Sequence, residues 1–96
     1  MGNNNIENEE LIEALIEEFD CGRSIARQVA EKRSQYVSDL EESKLKEDLE
    51  DPNYIVRMLR EKPADYPDGD EGVRLRWDWW IGSLNPLQDV SQYQVD

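Results

Sequence analysis

Leu11, Ile12, Leu15, Ile16 and Phe19 recur at three- and four-residue spacing, and Glu9, Glu10, Glu13, Glu17 and Glu18 fall between them. That period places one apolar stripe on a helix and carboxylates around the rest of it. The pattern stops at Asp20-Cys21-Gly22. A glycine there accepts the left-handed conformation that ends many helices, and Ser24 is placed to cap the next helix, so a tight two-helix corner is expected. The second helix runs from Ile25 through Val29, Tyr36, Val37 and Leu40. Beyond Asp39 the apolar residues thin to Leu40, Leu45 and Leu49, and the pattern predicts a continuing solvated rod with a weak point at Ser43.

Asp51-Pro52 marks a new start, because aspartate accepts hydrogen bonds from free helix amides and proline suits a first turn that needs no donor. Tyr54, Ile55, Met58 and Leu59 give this helix its apolar side, and it must end by Lys62, since Pro63 opens a run of turn-forming residues. Residues 63–72 are expected as an acidic loop.

Val73 to Asn85 satisfies two periods. Val73, Leu75, Trp77 and Trp79 alternate as in a strand, whereas Val73, Trp77, Trp80, Ile81 and Leu84 keep helical spacing. No second strand is evident elsewhere, so the strand alternative requires another chain to pair with. The helix needs none and is preferred, with Asp70 as its cap. The fold expected is therefore mainly α, a small domain of three to four helices over residues 6–85, with 73–81 as the segment where a short β-strand paired with another chain is the alternative. Residues 1–5 read as a disordered N-terminus and 86–96 as a C-terminal tail.

Charge changes this picture. Twenty-three Asp and Glu against 11 Lys and Arg leave a net charge of −12 in 96 residues. Seven carboxylates precede the first cation, Arg23; Arg23, Arg27, Lys32 and Arg33 then make the second helix basic, and acid dominates again in 39–51 and 63–72. Glu17 and Glu18 oppose the macrodipole at the end of the first helix, and Arg23 and Arg27 are the nearest cations to relieve it. Direct nucleic-acid binding needs a basic face, so this composition disfavours it. A DNA-binding regulator using the helix at 23–38 rests on four cations alone and would bring the acidic first helix towards the phosphates.

Candidate chemistry is sparse. The sequence has no histidine and a single cysteine, Cys21, so an internal disulfide is excluded and thiol, zinc and histidine-based catalysis are poorly served. Asp65, Asp68, Asp70 and Glu71 could gather around calcium, but the EF-hand pattern begun at Asp68 puts Gly72 at the fifth place and Trp79 where a bidentate glutamate belongs. No cofactor, metal or catalytic residue is expected, and the chain reads as a non-enzyme. No apolar run reaches membrane-spanning length, so no membrane partner and a cytoplasmic location are expected.

What remains is surface. Glu9, Glu10, Glu13, Glu17, Glu41, Glu42, Glu47 and Asp48 form the candidate acidic face, complementary to a basic, nucleic-acid-handling protein. Arg74, Arg76, Trp77, Trp79 and Trp80 form the candidate apolar patch, because tryptophan and arginine are enriched at the energetic centres of interfaces. Neither period buries all three tryptophans. In size and charge the chain is similar to small acidic inhibitors that imitate DNA and to immunity proteins of nuclease bacteriocins, without a shared motif. The expected function is an inhibitor or masking protein; the alternative is an assembly subunit that forms homodimers through 73–81.

Overall fold

The computed structural model describes residues 3–61, 66–84 and 90–95. Among the described residues five α-helices and a short 3-10 turn succeed one another: α1 (Asn3–Phe19), α2 (Arg23–Asp39), α3 (Lys44–Leu49), α4 (Pro52–Glu61), α5 (Asp70–Leu84) and η1 (Ser91–Tyr93). No strand occurs among the described residues, so the helical alternative for 73–81 holds and strand pairing with another chain does not. Of the segment expected to be disordered, Asn3 to Asn5 belong to α1, while residues 1–2 lie outside the described part.

Helix α1 buries the predicted stripe of Leu11, Ile12, Leu15 and Phe19. It ends one residue on, because Asp20 takes φ 54°, a left-handed conformation that aspartate tolerates better than most residues. Gly22 is not the left-handed stop expected of it. It sits at φ −79°, ψ 163° as the N-cap of α2, and Ser24 lies inside that helix without capping it. Helix α2 folds back along α1 and buries Ile25, Ala26, Val29, Ala30 and Tyr36 between the layers. The side chain of Asn8 accepts from Ser34 and Arg33, pinning the far ends of the pair.

The rod expected beyond Asp39 is broken. Helix α2 stops with Leu40 in an extended conformation at its C-cap, and Ser43 accepts from the Lys46 amide at 3.2 Å to start α3. The physical reason lies in the cap and the charges that precede it: Ser43 caps a new helix, and Glu41 and Glu42 fall just before its positive end, where carboxylates are favoured. Helix α3 lays Leu49 into the core. Asp51 then accepts from the Asn53 amide at 3.0 Å, and α4 inserts Ile55 and Leu59 against α1.

Helix α5 closes the core with Val73, Trp77, Trp80 and Ile81. Residues 63–65 of the expected acidic loop and 86–89 and 96 of the expected tail lie outside the described part. The remainder of the tail is no tail, since Val90 and Tyr93 are buried in the same core as α2 and α5. No helix among the described residues is long and apolar enough to cross a membrane.

Candidate functional site: an acidic stripe and a closed corner

Most of the described basic residues are held by polar contacts within the fold, and two of them, Arg33 and Arg76, are buried. Arg33 is 2% exposed and donates to the Leu49 carbonyl at 3.0 Å, tying α2 to the end of α3. Arg76 is 4% exposed and donates to the carbonyls of Leu59 and Tyr66. Burial pulls its guanidinium below the ordinary value, and the neighbouring Arg60 cation adds to that pull. Arg23 pairs with Glu9, Lys44 with Asp48, Lys46 with Glu42, and Arg74 with Glu71. Lys32 donates to the Gln92 carbonyl at 3.0 Å. Of the four cations on α2, only Arg27 is left without a polar contact among the described residues.

The end of α1 is the densest use of these cations. Arg60 reaches from α4 to bond the Glu18 carboxylate at 2.9 Å, the Glu18 carbonyl at 2.8 Å and Asp68 at 3.1 Å. Its guanidinium lies 4.6 Å from the centre of the Phe19 ring, and that of Arg76 lies 5.2 Å from it. The bond to Glu18 holds Arg60 above its usual pKa. Relief of the macrodipole therefore comes from α4, and not from Arg23 or Arg27 as the sequence suggests. The acidic loop completes the corner: the Gly69 amide donates to the Phe19 carbonyl at 2.7 Å, and Asp70 accepts from the Gly22 amide at 2.6 Å. Asp70 thus serves the start of α2, a helix 48 positions away in the chain from its own. Cys21 is buried beside it, and burial with the Asp70 charge pushes its thiol up, away from reactivity.

With the cations so placed, the expected acidic face divides. Glu10, Glu13 and Glu17 are exposed and have no ion pair among the described residues. At 100° per residue they fall within about 60° of arc, opposite the buried side of α1, and span roughly 10 Å of helix at 1.5 Å per residue. Glu9 stands beside this stripe and is matched by Arg23. Glu41, Glu42, Glu47 and Asp48 lie on and before α3, which does not touch α1, and two of them are matched by lysines one turn away. The structure does not merge the two groups into one face.

The expected apolar patch is corrected. Trp77 and Trp80 pack edge to face at 5.7 Å inside the core, and Arg76 is buried with them. Trp79 is 47% exposed and turned away from the other two, as helical spacing requires. Only Trp79 and half-buried Arg74 remain to meet a partner.

Among the described residues, shallow recesses include ones of 210, 180 and 340 Å³, at or below the lower end of the roughly 300–1,000 Å³ usual for small-molecule sites. No group of three or more His, Cys, Asp or Glu among the described residues is arranged to hold a metal ion.

Sequence reasoning missed one constellation, around Tyr93. Its hydroxyl donates to Asp39 at 2.6 Å, its ring meets Tyr36 edge-on at 4.8 Å, and its carbonyl accepts from the Trp77 indole at 2.8 Å. The Val95 amide donates to the Asp78 carboxylate at 2.7 Å. Val90, Tyr93 and Val95, spaced through an otherwise polar end, are the signal that could have found it.

Fold and site together define a small all-helical module with an anionic stripe and one outward tryptophan. The chain belongs to the WNWW domain family, whose model matches residues 1–85. Trp77-Asp78-Trp79-Trp80 lies inside that span and differs from the four letters of the family's designation at the second position alone. No curated protein and no solved structure matches the chain.

Proposed function

We propose that this chain is a non-catalytic binding module that offers carboxylates to a basic surface of a protein partner, in the manner of an inhibitor or mask over a nucleic-acid-handling site. The observation that carries the reading is the exposed stripe of Glu10, Glu13 and Glu17, which meets no cation among the described residues. A directed negative field of this kind speeds encounter with a cationic partner by one to three orders of magnitude at low salt. Trp79 supplies the apolar contact that charge alone lacks, since tryptophan anchors are over-represented where binding energy concentrates.

The test is capture from native cells at low salt, then association kinetics with the captured protein. Replacing Glu10, Glu13 and Glu17 by glutamine should slow association tenfold or more at low salt and change little at 1 M, where charges are screened beyond about 3 Å. Capture of neutral or acidic proteins alone, or association indifferent to salt, would falsify the reading.

A further inference from the structure

We infer that the recess between the second half of α2 and α3 is a binding site for a small carboxylate ligand, an organic acid of a few heavy atoms. Its 210 Å³ are lined by Arg33, Ser34, Val37 and Ser38 of α2, by Lys46 of α3 and by Glu50 at the end of α3. Two cations therefore share one recess in a chain where acids outnumber bases 23 to 11. Arg33 is held there by the fold, through its bonds to the Leu49 carbonyl and to Asn8. Lys46 is not. Its side chain is 22% exposed, whereas that of Lys44, two residues earlier on the same short helix, is 86% exposed. The Lys46 ammonium has three donors, yet among the described residues its polar contact is Glu42 at 3.7 Å, beyond hydrogen-bond length, and that carboxylate is 87% exposed. A loose pair between exposed partners contributes little and yields to a better acceptor.

The lining sets the ligand's chemistry. Ser34 is committed to Asn8 at 2.5 Å, but the exposed hydroxyl of Ser38, one turn further along α2, meets no partner among the described residues. An ammonium and a hydroxyl with donors to spare, backed by a fixed guanidinium charge, suit an oxyanion, because hydrogen bonds to an ionised acceptor are the strong ones. Glu50 then selects among oxyanions. With two cations and one carboxylate the recess carries a charge of +1, which matches a carboxylate and disfavours a doubly charged phosphate or sulfate. Half-buried Val37 supplies an apolar wall for a short alkyl chain. A few converging polar groups beside an apolar wall are the usual form of a small-molecule site, here at reduced scale. None of the lining residues belongs to α1, so the site stands whether or not the glutamate stripe binds a basic partner.

The experiment is a titration of the full chain with sodium propionate, followed by two-dimensional amide NMR at neutral pH against a sodium chloride blank of equal ionic strength. The amides of Ser34, Val37, Ser38, Lys46 and Glu50 should shift together, with a dissociation constant on the order of millimolar. Lys46→Gln should weaken binding about fivefold and Ser38→Ala about threefold, since each removes a donor to the ionised group. Lys44→Gln makes the same charge change on an exposed lysine and should leave binding unaltered, and Glu50→Gln should tighten it about twofold by removing a like charge. Helical circular dichroism checks that each variant is folded; if Lys46→Gln is not, Glu50→Gln decides. No shift at these residues, equal weakening by Lys46→Gln and Lys44→Gln, or weaker binding to Glu50→Gln overturns the inference. Sodium sulfate is the second probe. Sulfate bound more tightly than propionate assigns the recess to dianions and overturns the carboxylate assignment.

Discussion

Helix α1 carries glutamates both at its last turn and along its outward side, and the two groups do different work. At the last turn Glu18 is bonded through carboxylate and carbonyl to Arg60, which also holds Asp68 and lies over Phe19. Along the outward side Glu10, Glu13 and Glu17 meet no cation among the described residues. The first group joins α1, α4 and the 66–69 segment, and the second leaves charge on the surface without structural use. A net charge of −12 does not separate them, and an acidic composition becomes informative only after internal ion pairs have been identified.

The largest effect is expected where the corner is tightest. A Cβ added at Gly72 would stand 1.6 Å from the Pro67 carbonyl oxygen, which is backbone and cannot swing aside. Gly72→Ala should therefore displace the 66–69 segment, break the Gly69–Phe19 hydrogen bond and destabilise the fold by about 3 kcal/mol or more, read by urea denaturation. Next comes Arg60→Ala, which removes three charged or carbonyl contacts and a ring stack for an expected loss of about 2 kcal/mol. Arg57→Ala, at a cation standing 6.0 Å from Tyr54 on the exposed side of the same helix, is the matched control and should cost under about 0.5 kcal/mol. Equal losses would erase the distinction between engaged and idle charge.

These sites show how far the sequence is legible. Apolar spacing locates α1, α2, α4 and α5, and helical spacing at Trp77, Trp79 and Trp80 correctly turns Trp79 outward. The break at Leu40–Ser43 escapes a local reading because a lone capping serine competes closely with a continuing helix, and tertiary contacts tip the balance: Arg33 bonds the Leu49 carbonyl, and Leu49 is buried. Arg60 and Arg76 are invisible in the sequence as partners of Phe19, since their contacts cross 41 and 57 positions and no local period records them. Asp70 reads as a cap for its own helix, whereas its carboxylate serves Gly22 across the corner. Of the candidate acidic face, the part on α1 keeps three unmatched glutamates in one stripe, whereas lysines one turn away meet Glu42 and Asp48 and leave Glu41 and Glu47 apart from it.

The C-terminal segment supplies a smaller test with a defined pH sign. The hydrogen bond to Asp39, aided by burial, pushes Tyr93 up to about 12 from an ordinary value near 10. Burial raises Tyr36 as well. A group raised in the folded state contributes stability that is complete below its unfolded pKa and lost as pH climbs through the folded one. Stability should hold to about pH 10 and fall towards pH 12. Tyr93→Phe should cost about 1 kcal/mol at pH 7 and flatten that alkaline decline, with the part due to Tyr36 remaining. A decline of unchanged steepness in the variant would place the titration elsewhere.

The smallest effect falls on the outward stripe, and it has the opposite sign. Glu10 and Glu13 are three apart and Glu13 and Glu17 four apart, spacings at which like charges on one helix repel by about 0.2–0.5 kcal/mol per pair. Replacing all three by glutamine should stabilise the fold by about 0.5 kcal/mol at low ionic strength, and the gain should vanish at 1 M salt. Glu18→Gln, one position beyond, should instead destabilise, because it weakens the bond to Arg60. Thermal melts of the two variants at both salt concentrations read the difference directly. If the triple variant loses stability, the stripe has a structural partner and its carboxylates are not free for another molecule. If it gains stability, these glutamates are kept at a cost to the fold, which is the signature of residues retained for what they bind.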